Sequence, residues 1–371
     1  MNSFKRLVFP AAVVAAAIAL IAAARAADVV ANAYVETDLV SDQPGATHKD
    51  PNLKNAWGVA FSPAGSPFWI ADNNSGKATL YDGTGAIQSL VVTIPCPRRA
   101  GAGSGCPASA APTGIAFNPG SSGFIVPGTG KPATFIFVTE DGTISAWNGS
   151  SDKKAVIVVD NARNPNAILG AVYKGLAFAV NETGPKLFAT NFRAAKVEVY
   201  DTSFRPVTTS GGFKDAGIPA GYAPFGIQYF DGTLYVTYAL QKLPDKHDDQ
   251  EGPGNGFVDT FDTDGNLLQR LASHGKLNSP WGVARASYAF GQFSGALLLG
   301  NFGDGLINVL TPTRLVTLNG KNGKPLAVAG GRGLWTLTLG GGANSNPSTL
   351  YFTAGPNDEM NGRFGTITPV K

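Results

Sequence analysis

One phrase recurs along the chain at a near-constant interval. It reads Trp57-Gly58-Val59-Ala60 near the start and Trp281-Gly282-Val283-Ala284 near the end. Looser copies are Thr113-Gly114-Ile115-Ala116, Lys174-Gly175-Leu176-Ala177, Phe225-Gly226-Ile227-Gln228 and Arg332-Gly333-Leu334-Trp335. The glycines at 58, 114, 175, 226, 282 and 333 stand 56, 61, 51, 56 and 51 residues apart. A glycine followed by apolar residues at such a period marks a repeat architecture, in which each copy is one supersecondary unit that cannot bury its apolar face alone.

The residues between the glycines repeat a grammar of strands. Copy one has Phe68-Trp69-Ile70-Ala71-Asp72-Asn73, then Lys77-Ala78-Thr79-Leu80-Tyr81 and an Asp82-Gly83 turn. Copies two and three have Phe135–Thr139 with Thr143–Trp147, and Leu187–Phe192 with Lys196–Tyr200. Copy four has Thr233–Tyr238, and its third strand, Gly256–Phe261, arrives late after a polar insertion. Copies five and six have Ala296–Asn301 with Gly305–Leu310, and Thr349–Thr353 with Gly365–Thr368. Short β-branched and aromatic runs alternate with turns, and no stretch has convincing helical periodicity. Six four-stranded units predict an all-β, six-bladed β-propeller. Each glycine is expected on an inner strand, where side chains crowd the channel. A sandwich does not explain the period, and a β-helix would use a shorter one. The run Ala33–Leu39 precedes the first copy and is expected to close the ring against the last blade.

Composition matters at the two ends of the argument. Lys5 and Arg6, the Ala-rich run from Leu7 to Ala24 and the small-x-small site Ala24-Arg25-Ala26 predict that residues 1–26 are a signal peptide. The competing reading is a retained membrane anchor, which Pro10 and the weakly apolar alanines disfavour. Residues 27–371 then form the propeller. Cleavage removes three of 29 Lys+Arg and none of 26 Asp+Glu, so the mature net charge is zero and nucleic acid is not an expected partner. The expected location is periplasmic or extracellular, with no membrane span after cleavage. Cys96 and Cys106 flank a Gly-rich loop and are expected to form a disulfide in an exported protein.

Several phrases together resemble a bacterial family of uncharacterised exported β-propellers. They are Asn55-Ala56-Trp57-Gly58-Val59-Ala60, Asn278-Ser279-Pro280-Trp281-Gly282-Val283, Asp245-Lys246-His247-Asp248-Asp249, Gly254-Asn255-Gly256-Phe257-Val258-Asp259 and Tyr351-Phe352-Thr353-Ala354-Gly355-Pro356-Asn357-Asp358-Glu359. More distantly, the blades look like NHL repeats and lactonase-like six-bladed propellers. The resemblance implies the fold and leaves the activity open.

Two candidate sites follow. The second strands end in polar residues, Asp72 and Asn73, Glu140 and Asp141, Asn191 and Asn301, extending to Asn357 and Asp358. If the blades superpose, these converge as a ligand-binding ring at one channel mouth. The plain alternative is turn chemistry, since Asp and Asn bond the local backbone after a strand. In lactonase-like propellers such a ring holds Ca²⁺, which polarises an ester carbonyl or binds water. The second candidate is the loop Asp245-Lys246-His247-Asp248-Asp249-Gln250-Glu251, where Asp245, Asp248, Asp249 and Glu251 offer oxygen ligands to Ca²⁺. Its alternative is a solvated surface loop. Trp57, Phe225, Trp281 and Trp335 are expected to pack between blades. The three histidines are too dispersed for a zinc site, and no Gly-x-Ser-x-Gly elbow is present. The expected function is ligand or envelope-protein binding, with a Ca²⁺-dependent lactonase- or esterase-like hydrolase as the alternative.

Overall fold

A computed structural model describes residues 32–97, 109–162 and 170–370. Six sheets stand around one axis. Their innermost strands are Ala56–Ala60, Pro112–Phe117, Tyr173–Asn181, Tyr222–Phe230, Pro280–Arg285 and Leu334–Leu339 for blades one to six. In blades one to five, three further antiparallel strands follow outward in chain order. In blade six the outer position is filled from the start of the chain. Tyr34–Ser41 pairs antiparallel with Arg363–Pro369, from Tyr34 opposite Pro369 to Ser41 opposite Arg363. The expected ring closure is therefore present. The signal peptide and Cys106 lie outside the described residues, so neither expectation about them is addressed by the fold.

The core has the form that a propeller requires. Six apolar clusters each join two neighbouring blades, and a seventh lies on the axis. Between blades one and two, Trp69 stacks on Phe135 with centroids 4.2 Å apart and tilts against Trp147 at 4.8 Å. Between blades six and one, Phe68 meets Tyr351 at 4.8 Å and Phe364 at 5.4 Å. Each sheet thus buries both faces against neighbours, which explains strands such as Phe135-Ile136-Phe137-Val138-Thr139 that are buried without alternation.

Five of the six glycines sit where the inner strands touch. A Cβ on Gly226 would lie 2.2 Å from the Trp281 carbonyl, and one on Gly282 would lie 2.4 Å from the Trp335 carbonyl. Backbone occupies the space a side chain would need. Pairing with the second strand is also irregular beside this position in every blade, for example between Ala56 and Val59 and between Pro280 and Gly282.

The sixth copy is displaced. Leu334 and Trp335 fall on the inner strand, so Thr336, not Gly333, stands level with the other five glycines. Its hydroxyl donates to the Trp57 carbonyl at 2.7 Å, making a hydrogen bond from blade six to blade one at the place where other blades touch directly. Gly333 precedes the strand with φ near +113°, and a Cβ there would lie 2.3 Å from the Gly355 carbonyl. The glycine served a turn rather than the inner-strand contact.

Candidate functional site

The inner strands run the same way along the axis, so residues before and after each glycine separate along the channel. Immediately before it come Trp57, Thr113, Lys174, Phe225 and Trp281, with Trp335 before Thr336. The aromatic members fill the axis. Trp57 stacks on Trp335 at 3.4 Å, Trp281 meets Trp335 edge-on at 6.0 Å, and Phe302 stacks on Trp335 at 4.2 Å. Phe192 and Phe225 complete this buried cluster. As expected these rings pack between blades, Trp335 against Trp57 and Trp281 of its two neighbours, and they do so on the axis. They divide the channel into two ends.

The end where inner strands begin is charged and internally paired. Lys174 is the one cation in the axial layer, with its side chain 3% exposed. Its ammonium pairs with Glu140, lies 3.8 Å from Asp248 and rests 5.3 Å from the Trp57 ring centroid. Burial alone would lower its pKa, but Glu140, Asp248 and Asp249 outweigh that and raise it, so the ammonium stays charged. Asn73 donates to Glu140 Oε2 at 2.9 Å, and Asn55 donates to Glu359 Oε2 at 2.9 Å. Arg332 pairs with Glu251, Glu359 and Asp358.

The insertion of blade four, between the strands Thr233–Leu240 and Phe257–Phe261, folds over this end. Asp248 bonds His247 Nδ1 at 2.7 Å, and that bond is the main cause of a carboxyl held well below the usual range. Asp249 lies beside Ser279, and desolvation raises its carboxyl to about 6. Two carboxylates of this loop meet protein cations, whereas Asp249 is buried with one oxygen unpartnered. Glu251 pairs with Arg332, and Asp248 lies near Lys174. The Asp245 carbonyl accepts from Arg193 Nε at 2.9 Å.

The two sequence-derived sites thus partly merge. Asn73 and Glu140 from the ring meet Asp248 from the loop, and Glu140, His247 and Asp248 bring potential ligand atoms within 4.8 Å of one another. The rest of the ring serves its own blades. Asp72 is buried beside Thr79 and near Asp50, and its desolvated carboxyl is raised well above the usual range. Asp141 Oδ2 accepts from the Ala111 amide at 2.8 Å. Asn191 donates to Glu198 at 2.9 Å, and Asn301 donates to the Lys276 carbonyl at 2.8 Å. Asn357 bonds Asn361 at 2.8 Å, within one turn. The donor set does not resemble a cation cage, because an ammonium already bonds Glu140 between the candidate ligands.

The other end of the channel is an open funnel of about 1140 Å³ lined by residues that follow the glycines in all six blades. The repeated phrase continues one residue further than its obvious part. Three positions after the glycine stand Phe61, Phe117, Phe178 and Tyr229, then Arg285 in blade five, with Leu339 at the matching place in blade six. All six line the funnel. These rim residues were missed in reading the sequence. The signal was a Phe or Tyr at a fixed offset, in a phrase whose apolar residues were all assigned to packing.

The connections that border the funnel carry few charges, while the turns between third and fourth strands at the same end hold Asp82, Asp201, Asp262 and Asp264. The connections between first and second strands contain Lys131, Glu182 and Asp231 as their charged residues, whereas the blade-four insertion alone carries Lys242, Asp245, Lys246, Asp248, Asp249 and Glu251 at the opposite end. Among the lining residues Tyr288 is 93% and Tyr229 37% exposed.

No family model matches the chain. It is 30% identical over 339 residues to "Uncharacterized protein R648" of Acanthamoeba polyphaga mimivirus, covering 89% of this chain and 78% of that protein. It is 29% identical over 335 residues to the uncharacterised protein L690 of the same virus, covering 87% and 82%. These relatives are viral, so the likeness to uncharacterised proteins holds while the bacterial affiliation is not what they show. Among solved structures, an inactive variant of virginiamycin B lyase from Staphylococcus aureus with quinupristin has a TM-score of 0.50 at 15% identity, over 87% of this chain and 83% of that one. The PQQ-bound aldose sugar dehydrogenase of Streptomyces coelicolor also has a TM-score of 0.50, at 12% identity, over 91% and 99%. At such identities the likeness shows the fold alone.

Proposed function

The chain belongs to the same family as uncharacterised protein R648 of Acanthamoeba polyphaga mimivirus, and we propose that it is a ligand-binding propeller whose site is the apolar funnel. The observation that carries this reading is the 1140 Å³ concavity lined from all six blades. Ligand sites are concave, mostly apolar and supplied with a few polar groups. Tyr229 and Tyr288 add exposed aromatic surface to the funnel wall, as binding faces do. The charged end supports the reading by contrast, because its central cations Lys174 and Arg332 are already paired with Glu140 and Glu251. The Ala-rich run of residues 1–26 supports export as part of the proposal. A mature protein whose mass begins at Ala27 is the expected result.

The alternative, a Ca²⁺-dependent hydrolase at the charged mouth, has weaker support. Lys174 neutralises Glu140, and the aromatic layer closes the axis beneath it.

The test is titration with phenylnaphthylamine, an uncharged fluorophore that brightens in apolar surroundings. The wild-type protein is expected to bind it saturably. Phe117→Ala combined with Phe178→Ala removes two rim rings and is expected to weaken binding about tenfold while leaving a cooperative melt. No saturable binding, or equal affinity in the variant, contradicts the proposal.

A further inference from the structure

We infer that the funnel selects a facially amphipathic small molecule: a rigid body with one apolar face and hydrogen-bonding groups along the other. The inference rests on the funnel being the ligand site, and it comes from the uneven distribution of polarity around the wall. Blades one to three place no polar side chain in it. Two and three positions after their glycines they carry Ala60 and Phe61, Ala116 and Phe117, and Ala177 and Phe178. Blades four to six break this pattern at the same heights. Gln228 and Thr338 replace the alanine in blades four and six, and Arg285 replaces the phenylalanine in blade five. Since the blades follow one another around the axis, these polar groups face the wholly apolar half of the wall.

In the polar half Arg285 and Thr338 are already partnered, Arg285 by Asp231, Tyr235 and the Gly295 carbonyl and Thr338 by the Leu339 carbonyl, and Gln228 is the exception. Arg285 Nε donates to Asp231 at 2.7 Å, which fixes the guanidinium at the rim. Gln228 is half-buried, and its amide makes no hydrogen bond to any described residue. An amide offers two donors and an acceptor, and a ligand that shuts water off from it incurs a cost unless the ligand supplies a hydroxyl or carbonyl partner. A ligand apolar all round would incur that cost. A ligand polar all round would set its groups against Phe61, Phe117 and Phe178.

Cholate and 5β-cholanate test this. They share a skeleton and a carboxylate, but only cholate carries hydroxyls along one face. Each is used below its micelle concentration to displace phenylnaphthylamine from the wild-type protein and from the Gln228→Leu/Thr338→Val variant. Cholate is expected to bind wild type about tenfold more tightly than cholanate, and the variant is expected to lose that preference while its cholanate affinity holds. If the double variant fails to fold, Gln228→Leu alone serves and is expected to narrow the ratio. Equal affinities in wild type, or a preference that survives in the variant, overturn the inference and leave the funnel reading standing. Failure of the fluorophore to bind wild type removes the funnel reading and the inference together.

Discussion

Lys174 stands among Trp57, Phe225, Trp281 and Trp335 on the axis, and its burial with Glu140 makes a specific claim about stability. Removing one partner of a buried pair leaves the other charge desolvated. Lys174→Met is expected to cost about 3–5 kcal/mol, and adding Glu140→Gln should recover a large part, measured by denaturant unfolding of both variants. Asp249 gives a pH-dependent claim. Its carboxyl is raised from 3.8 to about 6 by desolvation, with Lys174 opposing that shift and Glu251 adding to it. The folded state therefore holds a proton that the unfolded state gives up sooner. The stability from this group is full below pH 3.8 and is lost as pH rises through about 6. Asp249→Asn should raise the melting temperature relative to wild type more at pH 8 than at pH 4, and equal differences at both pH values would contradict the assignment.

At the scale of single residues the sequence was only partly legible. Polar residues at strand ends stood out, and Asn73, Glu140 and Asp248 do meet. Asp141, Asn191 and Asn301 did what such residues commonly do after a strand, bonding nearby groups. Phe61, Phe117 and Phe178 went unnoticed because an apolar residue beside an inner strand reads as core by default. Only the three-dimensional placement of their rings, around an opening, separates rim from core.

The elements were far more legible, because the glycine period and the strand runs agree. The predicted runs Lys77–Tyr81, Phe135–Thr139, Thr143–Trp147 and Lys196–Tyr200 are strands with those bounds. The weak point was the outer strands, which are as short as two residues in Val92–Thr93 and Pro206–Val207. Outer strands have a pairing partner along one edge only, so their sequence is less constrained. The sixth glycine misled for a different reason: Gly333-Leu334-Trp335 imitates the phrase three residues early. This distinction has a test. Gly226→Ala would place a Cβ against the Trp281 carbonyl, and backbone cannot yield as a side chain can, so a loss near the upper end of about 1–3 kcal/mol is expected. Gly149→Ala, where nothing lies within 4 Å, should change stability by less than about 0.5 kcal/mol. Thermal melts of the two variants compare them directly.

For the whole molecule, closure depends on Tyr34–Ser41. This strand covers the edge of Arg363–Pro369, and Tyr34 also donates from its hydroxyl to the Phe290 carbonyl at 3.0 Å, tying blade six to blade five. Deleting residues 1–41 leaves an unpaired edge in a ring that otherwise has none there, so the product should aggregate or elute as an oligomer in size-exclusion chromatography. A folded monomer would contradict this role. The molecule is also polarised along its axis. One end carries the paired charges of Lys174 with Glu140 and Arg332 with Glu251 under the blade-four insertion, and the other is an apolar funnel. The measurement that tests this division most directly is the anomalous diffraction signal from a crystal exposed to iodobenzene. The account predicts iodine on the propeller axis in the funnel, within contact of Phe61, Phe117 or Phe178. Iodine at the charged mouth, or a funnel without iodine while other sites are filled, would contradict it.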